Sequence, residues 1–425
     1  MQYISILIIL FFYSFSLATE LKSVSSEDFI KENYSQERVD IIQFITEQFN
    51  NYQDLSITQD YLNASWAVQK QQKDFNIARF QIINQYVYAD SNNLKDGRFN
   101  SILEYLKKIT KIYKINNVDF IIYTDDTLEI AGKTKNSLIN TPAFIMSKDT
   151  NSIYETDLFL FPDLYLLDNN WKDYFTRIES ANKLIKWDSK INKVFWRGNT
   201  TGGIYNLENF DKLPRVSLVM LSRLYPDLID ASFVRYLQFS NDKSGNDLEE
   251  LFKILSSNSS FNSDKNYVSE ENHLFYKYLI SIDGNSCAWK RVPWIMLSNS
   301  VLLKQESNKV EWFYSALKSN YNYISVNNNL SNIFEKIEWM NNHDDDIKKI
   351  SENAQYLVKN NLMPKHIEAH AVLILNEYSK LHKENKISPS LYSTEEIKNK
   401  LNELSILEYK NRKKRVKRFF RNLFN

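Results

Sequence analysis

The sequence predicts an α/β protein, and three observations carry that prediction. Short apolar strands alternate with amphipathic helices between residues 190 and 362, the rhythm of a parallel sheet wound on both faces. Glycine is nearly absent, seven in 425 residues, where an average chain carries about 7%. Yet three of the seven fall within "RGNTTGG" (197–203), directly behind one strand. A chain of 425 residues also exceeds one ordinary core and implies about two to three domains.

Taken in order, "MQYISILIILFFYSFSLATE" (1–20) has an apolar core of signal-peptide length, with Ser16-Leu17-Ala18 where a peptidase would cut. No Lys or Arg precedes the apolar run, so an uncleaved signal anchor is the alternative. Residues 25–110 read as helix and connector, with "GRFNSILEYLKKITKIY" (97–113) helical. "VDFIIYTDD" (118–126) is a buried strand that runs into two acids, and 171–187 is helical.

From residue 193, "KVFW" is a strand, "GNTTGG" a loop, and "RVSLVMLSRLYP" (215–226) a helix stopped by proline. "LFYKYLISIDG" (274–284) is a strand ending on Asp283-Gly284, and "AWKRVPWIMLSN" (288–299) a helix despite Pro293. "SVLLKQES" (300–307) and "YNYISVN" (321–327) are strands, with "EWFYSALKSN" (311–320) a helix between them. Residues 330–362 are helical with a break near His343, and 240–266 is a surface loop around one short helix. The expected boundaries are 1–18 for the leader, 19–188, 189–362 for the Rossmann-like half, and 363–425 for terminal helices and a basic tail.

Lys+Arg (53) almost balance Asp+Glu (52), which argues against a nucleic-acid binder with its basic field. The single cysteine, Cys287, excludes an intrachain disulfide. Sequons at Asn33, Asn63, Asn199, Asn258 and Asn329 fit a secretory route, although a chain rich in Asn and Ser yields several by chance. The tail "YKNRKKRVKRFFRNLFN" (409–425) suits peripheral contact with an anionic membrane surface as an amphipathic helix, or is a solvated helix end.

Three stretches could carry chemistry. In a doubly wound sheet, ligands bind beyond the carboxyl ends of the strands, and "KVFW" delivers Arg197 and Gly198 to that edge. Glycine backbone can approach a phosphate closely, and a guanidinium grips its oxygens bidentately; a tight turn beside a salt-bridged arginine would look the same. "IDGNSCAWKRVPW" (282–294) again runs from a strand through small residues into a helix, with Lys290 and Arg291 near its start. Asp125-Asp126 at a strand end could supply a general base, hold a metal, or form a plain loop. "HIEAH" (366–370) has ligand spacing, but Glu368 is misplaced for a zinc protease and no third ligand is evident.

Together these stretches resemble the CAP10-type (Rumi-like) glycosyltransferases, over roughly residues 115–380. The likeness is densest in "KVFWRG…RVSLVMLSRLYPDLIDA" and "YKYLISIDGNSCAWKRVPWIMLSNSVLLKQES…EWFY". It implies a GT-B-like fold, two Rossmann-like domains with a cleft between them. It implies an inverting transferase that uses a UDP-sugar, glucose or xylose, with no metal and no cofactor. The acceptor would be a Ser/Thr hydroxyl of a protein in the ER or Golgi lumen; the alternatives are a glycan or lipopolysaccharide-type acceptor at a membrane, or a non-catalytic binding protein. By position, Arg197, Gly198, Arg215, Lys290 and Arg291 would hold the diphosphate. Asp126 would be the base, with Asp125 its rival, and Asp119 matches an acidic position earlier on that strand. Asp283, Gly284, Glu306 and Glu311 would face the nucleoside and ribose. Thr127-Leu128 departs from the family's loop after the base, which leaves the acceptor side open.

Overall fold

The computed structural model describes residues 21–24, 35–50, 52, 56–72, 75–128, 142–152, 155, 158–167, 169–256, 267–383 and 387–423. The leader 1–18, Asn33, Asn258 and Phe424 lie outside the described residues.

Two sheets organise the chain. The first has strand order β13-β2-β1-β3-β4-β6. β1 (Ile77–Ile83) and β2 (Tyr86–Ser91) form an antiparallel hairpin, and β1 also pairs antiparallel with β3 (Val118–Tyr123). β4 (Ala143–Ile145) and β6 (Phe159–Leu160) continue in parallel, and β13 (Tyr392–Ser393) closes the other edge. Every residue of β1 and β3 is buried. Phe80, Phe120, Phe144, Phe159 and Tyr378 pack ring on ring in this core, each burial contributing about 1.5–3 kcal/mol. Tyr378 comes from the late helix Pro364–Ser379, and its hydroxyl donates to Pro142 O at 2.8 Å.

The second sheet is wholly parallel, in the order β12-β10-β9-β7-β8. Its strands are β7 (Ile191–Gly198), β8 (Ile229–Phe233), β9 (Tyr276–Ser281), β10 (Val301–Gln305) and β12 (Ile324–Val326). The helices Pro214–Leu224, Lys243–Ser256, Arg291–Leu297, Ile333–Asn342 and Asp344–Asn361 alternate with or follow these strands. A two-stranded ribbon, β5 (Lys148–Asp149) against β11 (Lys309–Val310), ties the two units together. The expected α/β, GT-B-like pair of sheets about a cleft is therefore present, and the first sheet departs from a doubly wound one in its antiparallel half.

Two local expectations are corrected. Residues 77–91, expected as helix and connector, are the β1–β2 hairpin, whose turn residues Asn84 and Gln85 both have positive φ (50° and 70°). The expected helix at 311–320 is a loop with one 3-10 turn, Tyr314–Ala316. Trp312, Phe313 and Ala316 are all fully buried there, so the segment plunges into the core instead of presenting one apolar face.

Candidate active site

β7 runs outward through the core and ends at the cleft. Trp196 is fully buried, and a Cβ added at Gly198 would lie 2.3 Å from its ring, so only glycine fits beneath the indole. Gly202 and Gly203 have φ of +100° and +149°, in the region that favours glycine. The glycine cluster thus serves one close packing contact and one left-handed loop. That loop is pinned, because Gly202 N donates to Asn285 Oδ1 at 3.1 Å.

Arg215, on the first turn of helix Pro214–Leu224, stitches the two cleft loops together. Its guanidinium donates to Asp283 O (3.0 Å), Ile282 O (3.1 Å), Asn199 O (2.8 Å) and Thr201 Oγ1 (2.5 Å). Arg291, at the start of helix Arg291–Leu297, donates to Arg197 O at 2.6 Å. Arg197 pairs with Asp230 at 2.8 Å and lies 4.2 Å over the Phe195 ring, while its Nε is buried without a partner. Pro293 sits in the first turn of its helix and does not interrupt it.

Charge in this corner is unbalanced. Of the cations Arg197, Arg215, Lys290 and Arg291, Arg197 alone has a carboxylate ion-pair partner among the described residues. Burial pulls Arg215 below the usual arginine range, and burial with Arg215 beside it brings Arg291 down to about 10. Lys290 is likewise lowered, first by burial, and its ammonium contacts the Tyr174 hydroxyl and ring. A site that holds several cations against desolvation and mutual repulsion is built for an anion with several charges.

The opposite wall comes from the first unit. Asp126, in the loop after β3, accepts a hydrogen bond from Arg98 Nη2 on Oδ1 at 2.5 Å, and its Oδ2 has no partner among the described residues. Arg98 is held in turn by Thr124 O (2.6 Å) and by the Asp96 cap of its helix, Gly97–Ile109. Tyr165 and Trp289, ring centroids 6.3 Å apart, stand between the walls. The cleft has a volume of about 500 Å³, and Asp126, Arg197, Gly198, Arg215, Gly284, Lys290 and Arg291 all line it.

Other expected site residues lie elsewhere. Asp125 turns away and accepts from the Asn76 backbone N–H (2.7 Å) and side chain (3.0 Å). Asp119 is buried in a bidentate pair with Arg79 at 2.6 and 2.7 Å. Asp283 accepts from the Ser307 hydroxyl at 2.5 Å, Glu306 is exposed outside the cleft, and Glu311 is fully buried away from solvent. Nothing places Glu306 or Glu311 at a nucleoside, because neither borders the open volume. The sequence reading did not single out Arg98, Tyr165, Glu270, His273 or Trp289, all of which line it. His273 is packed edge-on against Phe195 and Trp294, and burial drops it to about 3, so it is neutral. Among the described residues, no group of three or more His, Cys, Asp or Glu could hold a metal. In "HIEAH", His370 packs 5.0 Å from the Trp312 ring, inside the core.

The model of Glycosyl transferase family 90 matches residues 35–415. The chain belongs to glycosyl transferase family 90. Protein O-glucosyltransferase 2 of Danio rerio is 27% identical to this family 90 chain over 340 residues, 77% of the chain and 61% of the relative. Protein O-glucosyltransferase 3 of Mus musculus is 30% identical over 193 residues, 45% and 33% of the two chains. The family 90 chain therefore spans one to two thirds of the length of these relatives. The Aedes aegypti O-glucosyltransferase rumi homolog is 24% identical, with 72% of this chain and 71% of the relative covered. Among solved structures, a glycosyltransferase from Rickettsia africae ESF-5 superposes with a TM-score of 0.33 at 14% identity, covering 62% of this chain and 70% of that one. Anabaena Alr3699/HepE in complex with UDP-glucose gives 0.29 at 9% identity, covering 45% and 50%.

Proposed function

We propose that this chain is an inverting, metal-independent glycosyltransferase that moves glucose or xylose from a UDP-sugar to a hydroxyl, a Ser or Thr of a protein in the secretory pathway. In this reading residues 19–188 form the acceptor side and 189–362 the donor side. One observation carries it: a single cleft sets a carboxylate oxygen with no partner among the described residues, on Asp126, across from a surplus of buried and half-buried cations.

The chemistry follows from those groups. The acceptor oxygen attacks the anomeric carbon from the face opposite the diphosphate, and its proton passes to Asp126 Oδ2. The bond from the anomeric carbon to the β-phosphate oxygen breaks, and that electron pair leaves with UDP. Arg197, Arg215, Arg291 and Lys290 neutralise the departing charge in a site where water screens it little. The names of the O-glucosyltransferase relatives support glucose and a protein acceptor. An exposed basic helix supports the rival membrane-bound acceptor, since every side chain from Ser405 to Arg415 faces solvent.

Thermal stability of the full chain against UDP, ADP and GDP tests the donor site. A ligand at a hundred times its Kd adds about 2.7 kcal/mol. UDP-selective stabilisation that shrinks by at least half at the same concentration in Arg291→Ala is expected. No response to any nucleotide from folded protein would overturn the reading.

A further inference from the structure

Two carboxyl groups that the proposed transfer does not use meet beneath the cleft. Asp163 lies between β6 and the single turn Leu164–Leu167 of the first unit, and Glu311 directly follows β11 of the ribbon that joins the second unit to the first. Both are fully buried. One oxygen of each, Asp163 Oδ2 and Glu311 Oε2, is buried without a hydrogen-bond partner among the described residues, and each acid lies within electrostatic reach of the other. Two ionised carboxylates buried as neighbours repel, and both orphaned oxygens are satisfied if one group carries a proton and donates it to the other.

The surroundings say which. Asp163 Oδ1 accepts the backbone N–H groups of Tyr165 (2.8 Å) and Leu166 (3.2 Å), which favours its anion. Glu311 receives only the Tyr314 hydroxyl, at a long 3.3 Å. We propose that Glu311 is a neutral carboxylic acid that donates its proton to Asp163, a latch between the two units that fixes the segment bearing Tyr165 at the cleft.

The charges facing this pair agree. Burial, Asp163 and Asp283 push Glu311 well above the carboxylate range, and burial raises Asp163 to about 6. The buried Cys287 and the half-buried Tyr314 are raised as well, first by desolvation, with Glu311 and Asp283 adding to both. The nearby cations are Lys304, whose ammonium lies 4.8 Å from the Tyr314 ring, and Lys290, across the Asp163 side. Stripping the proton would leave two buried anions in contact, with Asp283 adding to the repulsion.

Folding must therefore take up a proton that the unfolded Glu311 has already lost at neutral pH. The group's folded affinity for the proton is raised, so its stabilisation falls as pH climbs from the ordinary carboxylate range toward the raised value. The test compares wild type with Glu311→Gln, whose amide donates the same hydrogen bond without a titration. Between pH 6 and 8 the wild-type folding equilibrium should weaken tenfold more per pH unit than that of the variant, the effect of one proton. Parallel pH curves would overturn the latch. Should the variant fail to fold, infrared spectroscopy of the wild type at pH 7.5 decides: a protonated carboxyl stretch in the folded protein is expected, and its absence refutes the proposal.

Discussion

Arg98 and Asp126 form a 2.5 Å ion pair at the mouth of the cleft, and the pair occupies one carboxylate oxygen while leaving the other open. Arg98 is itself braced by Thr124 O, so the carboxylate is aimed by groups on both its loop and the neighbouring helix. In Arg98→Met the brace is gone. Turnover should fall up to about 100-fold, the cost of a misplaced reacting group, while UDP affinity stays put. A parallel loss of UDP binding would show that Arg98 acts on the donor instead.

The adjacent acids should separate cleanly. Asp126→Asn removes the proposed proton acceptor and should abolish transfer without lowering the thermal midpoint. Asp125→Asn weakens the two hydrogen bonds to Asn76 and should cost about 1–2 kcal/mol of stability, with turnover kept. Reversed outcomes in a turnover and melting comparison would move the base to Asp125.

Among the cations, Arg291 and Arg215 should behave differently. Arg291→Ala should weaken UDP binding about 10- to 100-fold, the loss of one or two charge-assisted hydrogen bonds, with a small change in melting. Arg215→Ala should also lower the melting temperature, because three backbone carbonyls lose their donor. Calorimetric titration with UDP beside thermal melts checks both.

Gly198→Ala places a methyl group 2.3 Å from the Trp196 ring. Overpacking of this kind costs about 1–3 kcal/mol, and the displaced indole also underlies Arg215 and Arg291, 5.6 and 5.8 Å away. Both melting temperature and UDP affinity should drop; an unaffected melt would mean that the indole has room to swing aside.

The parallel half of the fold was legible because β7, β9 and β10 are short apolar runs closed by polar loops, a pattern that needs only local sequence. The hairpin was not, since its tight turn is Asn84-Gln85 where Asn-Gly is the usual signal. Tertiary bonds hold it instead: Asn84 N donates to Asn117 Oδ1 at 2.9 Å and Gln85 Nε2 to Ile115 O at 2.7 Å. Asp126 and the arginines were readable as strand-end and helix-start residues. Arg98 was not, because an arginine in the first turn of an amphipathic helix looks like a solvated charge until the loop after β3 folds over it. Glu311 misled for the opposite reason: an acid beside a strand end looks like a ligand, and the buried aromatics that follow it pull it inside.

The helix Pro364–Ser379 and strand β13 complete the first sheet from the far end of the chain. On a ribosome, the unit begun first would thus be finished last. The parallel sheet, contiguous in sequence, has all its strands by Val326, while the Phe120–Phe144 core must wait for Tyr378 to emerge. Nascent chains halted just past the second unit should carry one sheet already folded and the other still exposed to chaperones.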